Sequence, residues 1–339
     1  MTRYLFGRLL GVVQTLVLAS ILAFVVLRVV PGDPARLIAG PLADKSTVNA
    51  VREQLGLNQN IVQQYLHYIT GFVSGDWGFS YSAGQSVAGL FAQKLPATLE
   101  LALFAFVIAV VGAIVFATFA SYRPSVFSGV SKGLSLIGLG TPQFWLSLVL
   151  LLVFSSALGV FPGPSGRLSS YLTPPPTITG LYTVDSLLTG NLVDFSDALA
   201  HLVLPAFALA FLPWAFLTRL LTANLTESAT APYTVVVRSK GVSPWLTHIR
   251  HVLHNGLLPT IASSGLVFAS LITGSVLVEE TFDWPGIGQI LVLAIQRQDF
   301  AVVQAFVLLS AVLYTILNLV VDIVSGGVDP RLRLTGATR

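Results

Sequence analysis

Six stretches of this chain are long and apolar enough to cross a lipid bilayer, and that fact constrains everything else about it. They run roughly over residues 9–27, 101–121, 133–160, 202–217, 257–278 and 302–321, against the about 20 apolar residues that a bilayer core requires. None of the six contains Asp, Glu, Lys, Arg or His. The rest of the composition agrees: 10% of the 339 residues are charged and 54% are hydrophobic, where a soluble domain carries about 25% charged residues. In lipid, every backbone polar group must be satisfied within the chain. The expected fold class is therefore an all-α polytopic membrane protein with six transmembrane helices. The first run follows Arg3 and Arg8 as a signal peptide would, but it is too long and continues into VVPGDP with no small-residue cleavage site. It reads as a spanning helix that is retained. The fourth run is the shortest and is expected to continue past Arg219, whose side chain can snorkel.

Orientation follows from the basic residues. With the amino terminus inside, Arg3, Arg8, Arg123, Lys132, Arg219, Arg238, Lys240, Arg250, Arg331, Arg333 and Arg339 fall on inner segments, and the remaining seven Lys and Arg are spread over a much longer outer length. The positive-inside rule thus places both termini in the cytoplasm. The net charge of +3 reflects this bias, so no nucleic-acid partner is expected.

Two outer segments are too long to be simple connectors. Residues 31–96 form an insertion after the first span. In it, Ser46 is placed to cap a helix that Gly56 ends, and Ile61, Tyr65, Tyr68 and Ile69 make a helical stripe. This pattern fits a pair of helices on the outer leaflet and equally a platform for an extracellular partner. The second segment, 161–200, is rich in Pro and Gly and reads as mostly irregular. Between the fifth and sixth spans, ETFDWPGIG (280–288) suits an interfacial aromatic belt for Trp284. Glu279, Glu280 and Asp283 are expected at the outer mouth, together with Asp76 and Trp77 of the "GDWG" turn.

The inner face has one substantial segment, 222–256, dense in basic residues and histidine. Lys240-Gly241 reads as a turn, and Ser243 followed by Pro244 is a helix start. Trp245, Ile249, Val252, Leu253 and Leu257 then form an apolar stripe, with His248, Arg250, His251 and Asn255 off it. His248, His251 and His254 read as a solvated face, since no carboxylate accompanies them to make a metal site. The spans offer no mid-membrane ionisable group for proton or sodium coupling; Asn318 and Asp322 sit at the inner end of the last one. There is no phosphate-binding loop and no cysteine, and no catalytic residue is expected. A chain of this kind makes a pathway without an engine. The alternative from the residues alone is a stand-alone channel or secondary carrier.

Several motifs together resemble one family. "LRVVPGDPARLIAG" (27–40), "EQLGL" (53–57), "GDWGFS" (75–80), "LPATLELA" (95–102), "DALAHLVLPAFALAF" (197–211), "EETFDWPGIGQILVLAIQRQDFAVVQAFVLL" (279–309) and "NLVVDIVSGGVDPRLR" (318–333) are similar to B-type permease subunits of bacterial ATP-binding-cassette importers for dipeptides and oligopeptides. The resemblance covers essentially residues 1–339, as a single permease domain. It implies the type I importer fold and a bacterial plasma-membrane location. It also implies a homologous second permease forming a heterodimer, two ATPase subunits and an extracytoplasmic binding protein, with ATP and magnesium on the ATPases and no cofactor in this chain. The family's EAA-type coupling segment maps onto 222–256, with Tyr233, Arg238, Lys240, Gly241, Ser243, Pro244, Arg250, His251 and Asn255 as the ATPase-coupling residues. Pro232 and the run Thr234–Val237 depart from the family pattern, and three consecutive valines lower helix propensity there.

Overall fold

The computed structural model describes residues 2–29, 34–39, 43–54 and 56–328. Pro31, Gly32 and Asp33 of the PGDP motif lie outside these, as do the tail from residue 329 and its Arg331, Arg333 and Arg339; so do the side chains of Arg3, Arg8, Lys132 and Asp322. Helix α1 (Thr2–Val29) precedes the outer insertion, which holds α2 (Pro34–Ala39), α3 (Lys45–Gln54) and α4 (Ile61–Ser74). A two-stranded antiparallel hairpin, β1 (Phe79–Ser80) with β2 (Gln85–Ser86), leads into α5 (Val87–Tyr122). Then come α6 (Pro124–Gly140) and α7 (Gln143–Leu150), the latter continuing as a π-helix through Leu151–Ala157. Next are α8 (Tyr182–Leu188), α9 (Leu192–Thr230), α10 (Pro232–Ser239) and α11 (Pro244–Thr247). A second π-helical stretch, His248–Leu253, joins α11 to α12 (His254–Gly274), and α13 (Val276–Thr281), α14 (Ile287–Gln296) and α15 (Phe300–Val328) complete the chain.

Among the described residues, α5, α9, the α11–α12 rod and α15 are each long and apolar enough to cross a membrane. The third expected span is not one rod. Its two halves, 133–140 and 143–157, meet at an angle of 104°. The break falls on Thr141-Pro142, where Pro142 lacks an amide donor and both residues adopt extended backbone angles. The fourth span is far longer than its apolar run, because Asn191 caps α9 well outside it by accepting from the Val193 and Asp194 amides. Helix α1 carries the first run, with Leu10–Val25 its described apolar part.

The core is a seam between α5 and α9. On α5, Ala97, Leu101, Ala105, Ala109 and Ala113 recur every four residues and are buried against Leu202, Ala206, Leu209 and Ala210 of α9. Small side chains let two backbones approach closely, which is how helices associate where lipid removes the hydrophobic drive. The opposite face of α5 repeats with the same period but stays open: Leu103, Val107, Val111, Val115 and Phe119 are all exposed. In the insertion, the tyrosine stripe of α4 packs on α1. Ser20 Oγ meets Tyr65 Oη at 2.7 Å, and Phe24 lies edge-on to Tyr65 and stacked on Tyr68. Ile61 stays exposed. The cap of α3 is Asp44, which accepts from the Thr47 amide and the Ser46 hydroxyl; Ser46 itself is already helical.

Ala109→Leu should overpack the α5–α9 seam and cost about 1–3 kcal/mol, whereas Val111→Leu on the open face should be neutral. Thermal unfolding of the two purified variants in one detergent checks this; equal midpoints would contradict the seam.

Candidate functional site

The 222–256 segment is built on the end of α9. Ala231 turns extended, as a residue before proline prefers, and Pro232 then occupies the first helical position, where its missing donor costs nothing. The valine run Val235–Val237 does not prevent a helix, because α10 is fixed by side-chain struts. Thr234 Oγ1 donates to the Ala229 and Ala231 carbonyls, at 3.0 and 2.7 Å. The Tyr233 hydroxyl bonds Ser228, whose Oγ reaches the Val252 carbonyl at 3.3 Å. Gly241 takes φ +81°, the left-handed region, and nothing lies within 4 Å of a Cβ built there. The demand on that position is therefore backbone conformation, not space. Ser243 Oγ then accepts from the Leu246 amide, with Pro244 at the first helical position.

The buried face of the following rod differs from the stripe read in the sequence. Trp245 and Ile249 are exposed, whereas Thr247, His248, Val252, Gly256 and Thr260 are buried. The π-helical stretch winds more residues per turn than an α-helix, so the contact face advances by fours. His248, expected on a solvated face, instead bonds Ser121 at the end of α5 through Nε2, at 3.1 Å. Val252 packs with Ala117, Leu221 and Leu225, and a Cβ on Gly256 would lie 2.6 Å from Leu225 Cδ2. Arg238, Lys240, Gly241, Ser243, Pro244, Arg250 and Asn255 form an exposed surface, with His251 half-buried and Tyr233 an internal strut. The surface is thus fastened at several points to the inner ends of α5 and α9.

At the end of the bundle away from residues 222–256, several acidic side chains are turned inward, and this corrects the expectation for Glu279 and Trp284. Glu279 is fully buried. Its Oε1 accepts from Thr98 and Ser275, each at 2.7 Å, and its Oε2 from the amides of Gly288 at 2.7 Å and Gln289 at 3.2 Å. Those amides open α14, which has no side-chain cap of its own. Glu279 is that cap, supplied from the preceding helix and favoured by the helix dipole. Burial pushes its carboxyl above the usual range, and the hydrogen bonds from Thr98, Ser275, Gly288 and Gln289 pull the other way. Gly286 and Gly288 are required by this contact, since a Cβ on either would meet the Glu279 carboxylate at 2.5 and 2.8 Å. Trp284 is 1% exposed and its indole N–H donates to the Ala97 carbonyl at 2.9 Å, so it is no lipid-facing belt residue.

Glu100 repeats the device. Its Oε1 accepts from the Thr183 amide and hydroxyl at the start of α8, which also lacks a cap, and its Oε2 accepts from Arg167, Nη2 at 2.5 Å. Arg167 also donates to the Gly180 carbonyl and stacks 3.6 Å from the Tyr182 ring centroid. Asp299 accepts from Ser80 and Ser82, tying the hairpin to the start of α15. Glu280, Asp283 and Asp76 remain exposed at this end. Trp77 is half-buried, stacked on Phe72 and edge-on to Phe91. No group of three His, Asp or Glu side chains able to hold a metal occurs among the described residues.

Apolar runs free of charge, a basic surface fastened at one end and a stapled cap at the other mark a multi-pass membrane protein. The chain belongs to the binding-protein-dependent transport system inner membrane components: that family matches residues 109–334, and its N-terminal counterpart matches residues 1–102. It is 36% identical over 323 residues to a probable D,D-dipeptide transport system permease protein of Escherichia coli K12, covering 95% of each chain. It is 35% identical over 337 residues to that strain's dipeptide transport system permease protein, covering 98% of this chain and 99% of the relative. To the strain's glutathione transport system permease protein it is 33% identical over 334 residues, with the same coverage. The fold is that of a type I ATP-binding-cassette importer permease, and the chain is an importer permease subunit in an inner membrane.

Glu279→Ala should free the Gly288 and Gln289 amides and raise their hydrogen exchange, while Glu280→Ala leaves them protected. Equal protection of those two amides in both variants would contradict the cap.

Proposed function

We propose that this chain forms half of a membrane pathway for peptides or similar small solutes, and that partner ATPases drive it through the surface spanning 231–256. The observation that carries this is the fastening of that surface. Its exposed basic residues sit on α10–α12, while Tyr233, Ser228 and Val252 link it to α9, and His248 and Ser121 link it to α5. A partner pulling on such an element displaces the long helices rather than bending a loop. The cargo class rests on relatives named for D,D-dipeptide, dipeptide and glutathione transport.

In this reading, a homologous permease supplies the other half of the pathway, and two ATPase subunits hold ATP and magnesium. An extracytoplasmic binding protein docks where Asp76, Glu280 and Asp283 are exposed. Closure of the ATPase pair moves the coupling surfaces, and the pathway opens outward by rigid-body motion of the helices. This chain performs no covalent step. Both termini and residues 222–256 face the cytoplasm, and the insertion 31–96 faces outside. The cysteine-free sequence makes that orientation simple to read with single cysteines and an impermeant thiol reagent.

The test exploits the open space around Gly241. Gly241→Asn tolerates a left-handed backbone and should retain uptake. Gly241→Val does not, at roughly 1–2 kcal/mol of strain, and should insert and assemble yet lose substrate-stimulated hydrolysis by about tenfold. Full stimulation in the valine variant would sink the coupling role.

A further inference from the structure

At the inner end of α5, a cleft of about 350 Å³ opens between the inner ends of α5 and α9, α10 and the start of α11. Ser121, Tyr122, Arg123, Arg238 and His248 line it, and among the described residues no carboxylate does. Arg123 and Arg238 are both exposed, and neither guanidinium has an acidic partner among the described residues. The His248–Ser121 bond fixes part of the lining. Two arginines lining one cleft without a counter-charge among the described residues suit the oxygens of a phosphate.

The surroundings narrow the ligand. Beside the cleft stands Trp245, 41% exposed, stacked 6.0 Å from Phe119 and edge-on to Tyr122 at 4.9 Å. From Phe119 the open ridge of α5 climbs through Val115, Val111 and Val107 to Leu103. Those seventeen residues, sixteen helical steps, rise about 24 Å, more than the about 15 Å of hydrocarbon in one leaflet. The cationic cleft lies at the last turn of a spanning helix, at headgroup depth, and the ridge above it is apolar throughout. We propose that this cleft and ridge bind one anionic glycerophospholipid, the phosphate between Arg123 and Arg238 and an acyl chain along Val111–Phe119.

A lipid held there would bridge α5, α10 and α11, so its occupancy would bear on the coupling surface. The inference rests on reading this end as lying at a membrane surface. Lipid retention is measured without nucleotide, so its failure is distinguishable from failure of ATP coupling.

The experiment is native mass spectrometry of the assembled transporter, purified from an equimolar mixture of phosphatidylglycerol and phosphatidylcholine. The wild type should retain phosphatidylglycerol preferentially. Arg123→Gln and Arg238→Gln should each lower that preference about fivefold, and the paired lysine substitutions should preserve it, which guards against a glutamine variant that fails to fold. Inorganic phosphate or glycerol phosphate at millimolar concentration should not displace the lipid. Equal retention of the two lipids, or an unchanged preference with both arginines replaced by glutamine, would overturn the proposal. So would displacement by inorganic phosphate, which would mark a headgroup-only anion site. A preference seen in the permease pair but absent from the assembled transporter would assign the cleft to the ATPase instead, and would equally overturn it.

Discussion

A buried carboxylate is costly unless donors fill its lone pairs, and the end of this protein away from residues 222–256 depends on two that are filled by helix starts. Leaving a carboxylate unpaired in the interior costs several kcal/mol, and so does leaving the first amides of a helix unsatisfied. Glu279 and α14 cancel each other's cost, as do Glu100 and α8. Each pairing closes over a long stretch of sequence through α5: Thr98 meets Glu279, and Glu100 meets both Arg167 and Thr183. The irregular outer segments are therefore parts of one body organised around the first half of α5.

The end that carries residues 222–256 is held differently. Its elements are short and exposed, joined by a left-handed glycine and tied down by single hydroxyl or imidazole contacts at Ser228, Tyr233, Ser121 and His248. One helix thus joins a cap with many buried bonds to a surface with few.

Much of this was legible in the sequence, because apolar length and helix punctuation act locally. Four of the spanning runs, the Gly241 turn and the Ser243-Pro244 start depend on nearby residues alone, and the structure has them where the pattern put them. The bend in the third run was also written locally, in Thr141-Pro142, but the length of apolar sequence concealed it. Glu279 was misread because its partners are remote in sequence: it looks like a mouth charge until Thr98 and the α14 amides are brought to it. The spacing Gly286-x-Gly288 at a helix start without a capping side chain was the available clue. His248 was misplaced for another reason, since a π-helical stretch shifts the face that a 3.6-residue period projects.

In the proposed mode of transport, the cap built on Glu279 and Glu100 moves as one body while the surface at 231–256 is driven. The cysteine-free sequence permits spin labels at two chosen positions, and Asp76 and Asp283 are both exposed on the cap through different segments. Their separation, measured by pulsed electron resonance in the assembled transporter, should give one narrow distribution that is the same without nucleotide and with ATP bound. A distribution that broadens or shifts with ATP would mean that the cap comes apart during transport, and would contradict the account.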